Sequence, residues 1–262
     1  MKPTTLYGFI ILITALALMT GCSPKTSPAT MGEIFISLVD SPASINAVNI
    51  QIMGISIHSL GADSLSGWIS IKNSQTTYNL LTLRNGMNAI LCDTILPPGT
   101  FDKIMLLIGN NSNIVVDGIS DTLDISDANA IIINHQVDME AGGFIGLTID
   151  FDANRSVVPV SENRYKLEPV IRVVTNSGAG TISGIVQPAA AKATVVTTVG
   201  TDTVTAYCDS VSGHFVLVAL PVGTYLATIM PGDTTYRDTT FSIIPVTAQH
   251  DSNLGTITLS PR

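Results

Sequence analysis

The chain has 262 residues, of which 45% are hydrophobic and only 12% charged, with 12 Lys and Arg against 20 Asp and Glu for a net charge of −8. Such an acidic chain is repelled by phosphate backbones and anionic headgroups, which excludes nucleic acid as a partner and any purely electrostatic hold on a membrane. The length after an N-terminal leader is comfortable for two cores and too great for one small sandwich.

A single early cation, Lys2, precedes an uncharged, mostly apolar run over residues 9–19 broken only by Thr14, and then comes Met19-Thr20-Gly21-Cys22. The run is about half of the roughly 20 residues that a spanning helix needs. The four-residue motif resembles a bacterial lipobox. That resemblance implies cleavage after residue 21, transfer of a diacylglyceryl group to the Cys22 thiol, and a lipoprotein signal peptide over residues 1–21. An uncleaved anchor and an ordinary secretory signal are the alternatives. Residues 22–32 form a polar tether rich in Ser, Thr and Pro, with little to bury.

Beyond the tether everything reads as β, because Ile, Val and Thr abound and no long segment has a 3.6-residue period. Strands are predicted over 34–38, 47–58, 67–71, 77–81, 101–108, 113–116, 119–125, 131–137, 144–151 and 164–174. Asn85-Gly86, Pro97-Pro98-Gly99, Asp117-Gly118 and Gly142-Gly143 supply turns between them. Val48, Ile50 and Ile52 alternate on one parity, and Ile55 and Ile57 on the other, so a β-bulge or sheet-switching bend is expected near Gly54. Pro169 lacks a ladder donor, which predicts that the strand over 164–174 lies at a sheet edge or enters its ladder late.

Residues 175–180 are small and polar and read as a linker. Seven further strands are predicted over 181–186, 193–199, 203–208, 214–219, 224–230, 239–246 and 255–259. The fold class is therefore all-β: two consecutive antiparallel β-sandwich domains after the signal peptide, over 33–174 and 181–262. Cys92 and Cys208 fall in different domains and read as two buried free thiols, a disulfide being the alternative if the domains dock.

Both halves resemble known families. Residues 33–174 resemble the bacterial lipoprotein family of domain of unknown function 4382. The carriers include Ser37-Leu38-Val39-Asp40-Ser41-Pro42-Ala43, Tyr78-Asn79-Leu80-Leu81, Leu96-Pro97-Pro98-Gly99-Thr100, Leu147-Thr148-Ile149-Asp150-Phe151-Asp152 and Leu167-Glu168-Pro169-Val170. Residues 181–262 resemble carboxypeptidase regulatory-like, prealbumin-like domains through Ile182-Ser183-Gly184-Ile185-Val186, Ser212-Gly213-His214-Phe215 and Leu220-Pro221-Val222-Gly223-Thr224-Tyr225. The first family has no assigned activity and the second is an accessory module, so the resemblance implies architecture more than function.

The sequence carries no Gly-x-Ser-x-Gly elbow, His-Glu-x-x-His, Cys-x-x-Cys or phosphate-cradling glycine loop. His58, His135, His214 and His250 are isolated in sequence. Asp150, Asp152 and Asn154 place oxygens at i, i+2 and i+4, which could present hard ligands to calcium. However, Arg155 and Ser161 stand where a calcium loop uses glycine and a bidentate glutamate, so a turn cap by Asp152 or Asn154 is the competing reading. Asp40-Ser41-Pro42 reads as a turn at a strand end. Trp68 reads as core, while Tyr207 and Tyr236 are the candidate surface aromatics for a glycan.

These residues point to a non-catalytic, lipid-anchored protein of a Gram-negative outer membrane, facing the periplasm or the cell surface, with a structural or binding role and no cofactor. The alternatives are an accessory lipoprotein that captures a glycan or peptide with loops of the second sandwich, and a hydrolase whose site assembles only in three dimensions. Expected partners are the membrane through the lipid and an envelope protein, peptide or glycan.

Overall fold

A computed structural model describes residues 30–41 and 46–262. The predicted signal peptide, Cys22, the tether up to residue 29 and Pro42 lie outside the described residues.

The first half contains β1 (Gly32–Ser41), β2 (Ala47–Ser59), β3 (Trp68–Lys72), β4 (Thr76–Asn79), β5 (Ala89–Leu96), β6 (Gly99–Ile108), β7 (Asn113–Val116), β8 (Ile119–Asp124), β9 (Ala130–Met139) and β10 (Phe144–Asp152). The one-turn helix α1 (Ala153–Ser156), β11 (Val157–Ser161), β12 (Arg164–Leu167) and β13 (Ile171–Thr175) complete it. A four-stranded sheet in the order β13-β10-β1-β5 faces a nine-stranded sheet in the order β11-β12-β8-β7-β2-β6-β9, with β3 and β4 also paired to β2. Their shared core includes Ile34, Ile36, Leu38, Ile50, Ile57, Leu106, Ile149 and Phe151.

Local irregularities in these strands are explained by packing. In β2, Ile52 pairs with Ile108 and Gly54 with Leu107, leaving Met53 unpaired and 40% exposed. That extra residue returns Val48, Ile50, Ile52, Ile55 and Ile57 to one buried face, as the parity change required. A second bulge hides β5 from a period-two reading. Ile36 pairs with Cys92 and Ser37 with Ile90, so Leu91 is the extra residue and both Leu91 and Cys92 are buried. The Asp117-Gly118 hairpin turn forms as expected: both residues have positive φ, 50° and 79°, between the paired Val116 and Ile119.

The single strand expected over 164–174 is two strands in different sheets. Pro169 sits between β12 and β13, where the chain leaves the large sheet and joins the small one, and β13 is an edge strand. Pro159 also has an edge position, in β11 at the end of the nine-stranded sheet.

The second half contains β14 (Ala179–Gln187), β15 (Thr194–Val199), β16 (Asp202–Tyr207), β17 (His214–Pro221), β18 (Gly223–Met230), β19 (Thr239–Val246) and β20 (Asp251–Thr258). Sheets β17-β14-β20 and β16-β15-β18-β19 enclose a separate core that includes Ile182, Val195, Phe215, Leu217 and Ile229. Full burial of a side chain such as Phe215 contributes about 1.5–3 kcal/mol. Antiparallel pairing dominates in both halves, but β1·β10, β8·β12 and β14·β20 are parallel.

Between the halves, the expected linker over 175–180 is mostly regular structure. Thr175 ends β13, Ala179 begins β14, and a 3-10 turn over Asn176–Gly178 is all that joins them. Cys92 and Cys208 are free and buried, one in each core, and burial pushes their thiols up to about 11 and about 12. Among the described residues no helix is long and apolar enough to cross a membrane.

Candidate functional site

The charged residues singled out in β10 gather at the junction of the two halves. Alternation along β10 turns Leu147, Ile149 and Phe151 into the core and Thr148, Asp150 and Asp152 to the opposite face. On the neighbouring strand β13, Arg172 stands in register with Asp150. Its Nη2 donates to Asp150 Oδ2 at 2.7 Å, and the same guanidinium reaches the carbonyls of Ala219 and Val218 in β17 of the second half. Arg172 is 13% exposed and Asp150 7%, so the pair bridges the halves almost out of water. Burial raises the Asp150 carboxyl above its ordinary value, and the guanidinium opposes that rise.

Asp152 has a different task. Its Oδ1 accepts from the Arg155 backbone N–H at 3.0 Å, which caps α1, and its Oδ2 accepts from Arg155 Nε at 2.7 Å. Asn154 is exposed, so the spaced triad Asp150, Asp152 and Asn154 does not converge on one point. Among the described residues no group of three His, Cys, Asp or Glu side chains is arranged to hold a metal ion. Of the two readings of this motif, the cap is the one the geometry realises.

Asp40, expected in a turn at a strand end, lies within β1 at 4% exposure, and its Oδ1 accepts from Ala153 N at 2.9 Å. Among the described residues its Oδ2 has no hydrogen-bond partner. Burial, helped by the charges of Asp150 and Asp152, pushes the Asp40 carboxyl from 3.8 up to about 8. The signal was present in the sequence: Ile34, Ile36, Leu38 and Asp40 share one parity, which sends Asp40 inward. Arg172 had no such signal, because its partners come from a strand and a domain that only the fold brings near.

Beside this clasp lies a cleft of about 370 Å³ between the halves, lined by Ser37, Thr148, Asn176, Thr181, His250 and Asp251 among others. Ser37 Oγ and Thr148 Oγ1 are 3.2 Å apart, and Thr148 Oγ1 donates to Asn176 Oδ1 at 2.7 Å. Further bonds tie the junction down: Val222 N donates to Gly178 O and Gln249 N to Ala179 O.

The histidines remain dispersed. His58 is buried, with Nδ1 2.7 Å from Asp102 Oδ1 and Nε2 3.2 Å from the Asp63 carbonyl oxygen. Contact with His58 holds the Asp102 carboxyl below its ordinary value. Trp68 covers this imidazole, ring centroids 5.0 Å apart, and donates from Nε1 to Ser64 O, so it is a half-buried lid on His58 rather than a core residue. Tyr207 is half-buried on the edge strand β16, and Tyr236 packs against the second core instead of offering a free face.

Residues 31–169 match the family described as domain of unknown function (DUF4382). No curated protein matches the chain. Among solved structures, the Bacillus anthracis TIE protein is 13% identical with a TM-score of 0.23; the alignment covers 88% of this chain and 34% of that one. The minor pilin of Streptococcus agalactiae is 10% identical, covering 88% of this chain and 96% of that one with a TM-score of 0.24. The shaft pilin SpaA of Lactobacillus rhamnosus GG is also 10% identical, covering 89% and 98% with a TM-score of 0.24.

Proposed function

This chain belongs to the family of the domain of unknown function DUF4382, and from that premise we propose that it is a non-catalytic, lipid-anchored cell-envelope protein with a structural or binding role. The observation that carries the reading is the Arg172 clasp, which joins Asp150 to two β17 carbonyls and makes a stiff unit of two β domains. A rigid module on a short tether suits a spacer or a presenting platform better than an enzyme that must open and close.

Several groups that a hydrolase would recruit are already committed. Asp152 gives both oxygens to Arg155, His58 is sealed beneath Trp68, and burial holds both thiols protonated. Anchoring through Cys22 rests on Met19-Thr20-Gly21-Cys22, and in this reading the protein sits at a Gram-negative outer membrane and faces the periplasm. Residues 181–262, with seven strands in two sheets, fit a carboxypeptidase regulatory-like accessory module.

Acyl labelling and detergent partitioning of the wild-type chain and Cys22→Ala test the anchor. Labelled, detergent-soluble wild type and unlabelled, aqueous Cys22→Ala are expected. A wild type that stays aqueous overturns the anchored reading.

A further inference from the structure

The two strands that meet in parallel near the end of the large sheet also part there. β8 and β12 pair only through Leu123 with Tyr165 and Asp124 with Lys166, whereas residues 119–122 pair with β7 on their other side. Where the strands diverge they leave a groove of about 670 Å³. Its wall is formed by Asn110, Asp121 and Asp124 on one side and by Asn163, Arg164 and Tyr165 on the other. Asn163, at φ 57°, turns the chain so that Arg164 enters β12 beside the opening.

The bonding state of these side chains sets the groove apart from the junction. Among the described residues, Asn110, Asp121, Asn163, Arg164 and the Tyr165 hydroxyl make no side-chain hydrogen bond or ion pair. Lys166, one position further on, is by contrast held by Asp127 and Glu168. Donors from a guanidinium, amides and a phenol therefore face the same space as free carboxylate and amide acceptors. The charges nearly balance, with Arg164 against Asp121 and Asp124. Leu123 and Ile125 lie buried beneath, and the half-buried Tyr165 ring packs against the first core and leaves only part of its surface to the groove.

A ligand suited to this groove must donate and accept at many points, carry no net charge and need little apolar floor. Strongly anionic ligands meet two carboxylates, and purely aliphatic ligands leave the polar groups along the walls without partners. We propose that the groove between β8 and β12 is a binding site for a neutral oligosaccharide, with Asp121 and Arg164 as its principal hydrogen-bonding residues. An extended peptide is the competing occupant, since residues 119–122 have a free strand edge, but that edge is too short for more than a few ladder bonds. The proposal gives a ligand class to the binding role above and is independent of the lipid anchor, so the two fail separately.

The test is calorimetric titration of the full-length chain with cello-, malto-, chito- and mannohexaose, and with an acetylated, amidated Thr-Val hexapeptide. Asp121→Ala and Arg164→Ala are compared with the wild type, and Asp202→Ala serves as a control outside the groove. We expect at least one hexasaccharide to bind with millimolar or tighter affinity. Each groove substitution should weaken it by about tenfold or more while the melting temperature stays unchanged, and Asp202→Ala should bind as the wild type does. Absence of binding to all four sugars, sugar binding that survives both groove substitutions, or peptide binding that Asp121→Ala and Arg164→Ala abolish in place of sugar binding would each overturn the proposal.

Discussion

Arg172 and Asp150 face each other across two neighbouring strands at 2.7 Å, and the arginine of this buried pair is the residue that grips the second domain. One side chain thus serves both the pairing of the edge strand β13 with β10 and the attachment of one domain to the next.

Removing that cation leaves a carboxylate buried without its partner. Arg172→Ala should lower stability by about 3–5 kcal/mol, the usual cost of stranding one member of a buried pair. Asp150→Asn should cost less, because the amide is neutral. Urea denaturation checks both. The wild type should unfold in one transition and resist proteolysis at residues 176–178, whereas Arg172→Ala should show two transitions and early cleavage there. A wild type cut first at that turn would mean that the clasp does not couple the domains.

Asp152 caps α1, and Arg155 engages both of its oxygens. Asp152→Ala should cost about 0.5–2 kcal/mol. The wild-type melting temperature should not respond to millimolar calcium. Stoichiometric calcium binding at micromolar affinity, measured by calorimetry, would overturn this assignment.

Asp40 makes stability fall as pH rises. Its folded carboxyl, pushed from 3.8 to about 8, holds its proton more tightly than the unfolded one does. The stability it contributes is therefore complete below about pH 3.8 and is lost progressively as pH climbs to about 8. Asp40→Asn cannot ionise, so relative to the wild type it should gain melting temperature between pH 5 and pH 9. A wild-type minus Asp40→Asn difference that is flat across this range would refute the shift.

Met53 is important for its backbone and not for its side chain. Met53→Ala, at a position 40% exposed, should change stability by less than about 0.5 kcal/mol. Deleting Met53 removes the extra residue of the bulge and turns either Val48, Ile50 and Ile52 or Ile55 and Ile57 away from the core. Circular dichroism should show a folded Met53→Ala and an unfolded deletion variant.

The sequence by itself determined what depends on local chemistry: the β class, the bulge near Gly54, the Asp117-Gly118 turn and the presence of seven strands beyond residue 180. Each is written in alternation, in turn residues or in a parity change that permits few geometries. β5 escaped because the bulge at Leu91 breaks its alternation, and the split at Pro169 escaped because a proline removes a donor without saying which sheet the next residues join. The inward position of Asp40 was legible in its parity with Ile34, Ile36 and Leu38, although its proline context suggested a turn. Only the tertiary structure decided that Arg172 meets Asp150 and β17, that Trp68 covers His58 and that β8 and β12 part to open a groove. Those relationships join residues ten to about fifty positions apart, and such pairings are fixed by how strands and whole sheets pack, which no local pattern encodes.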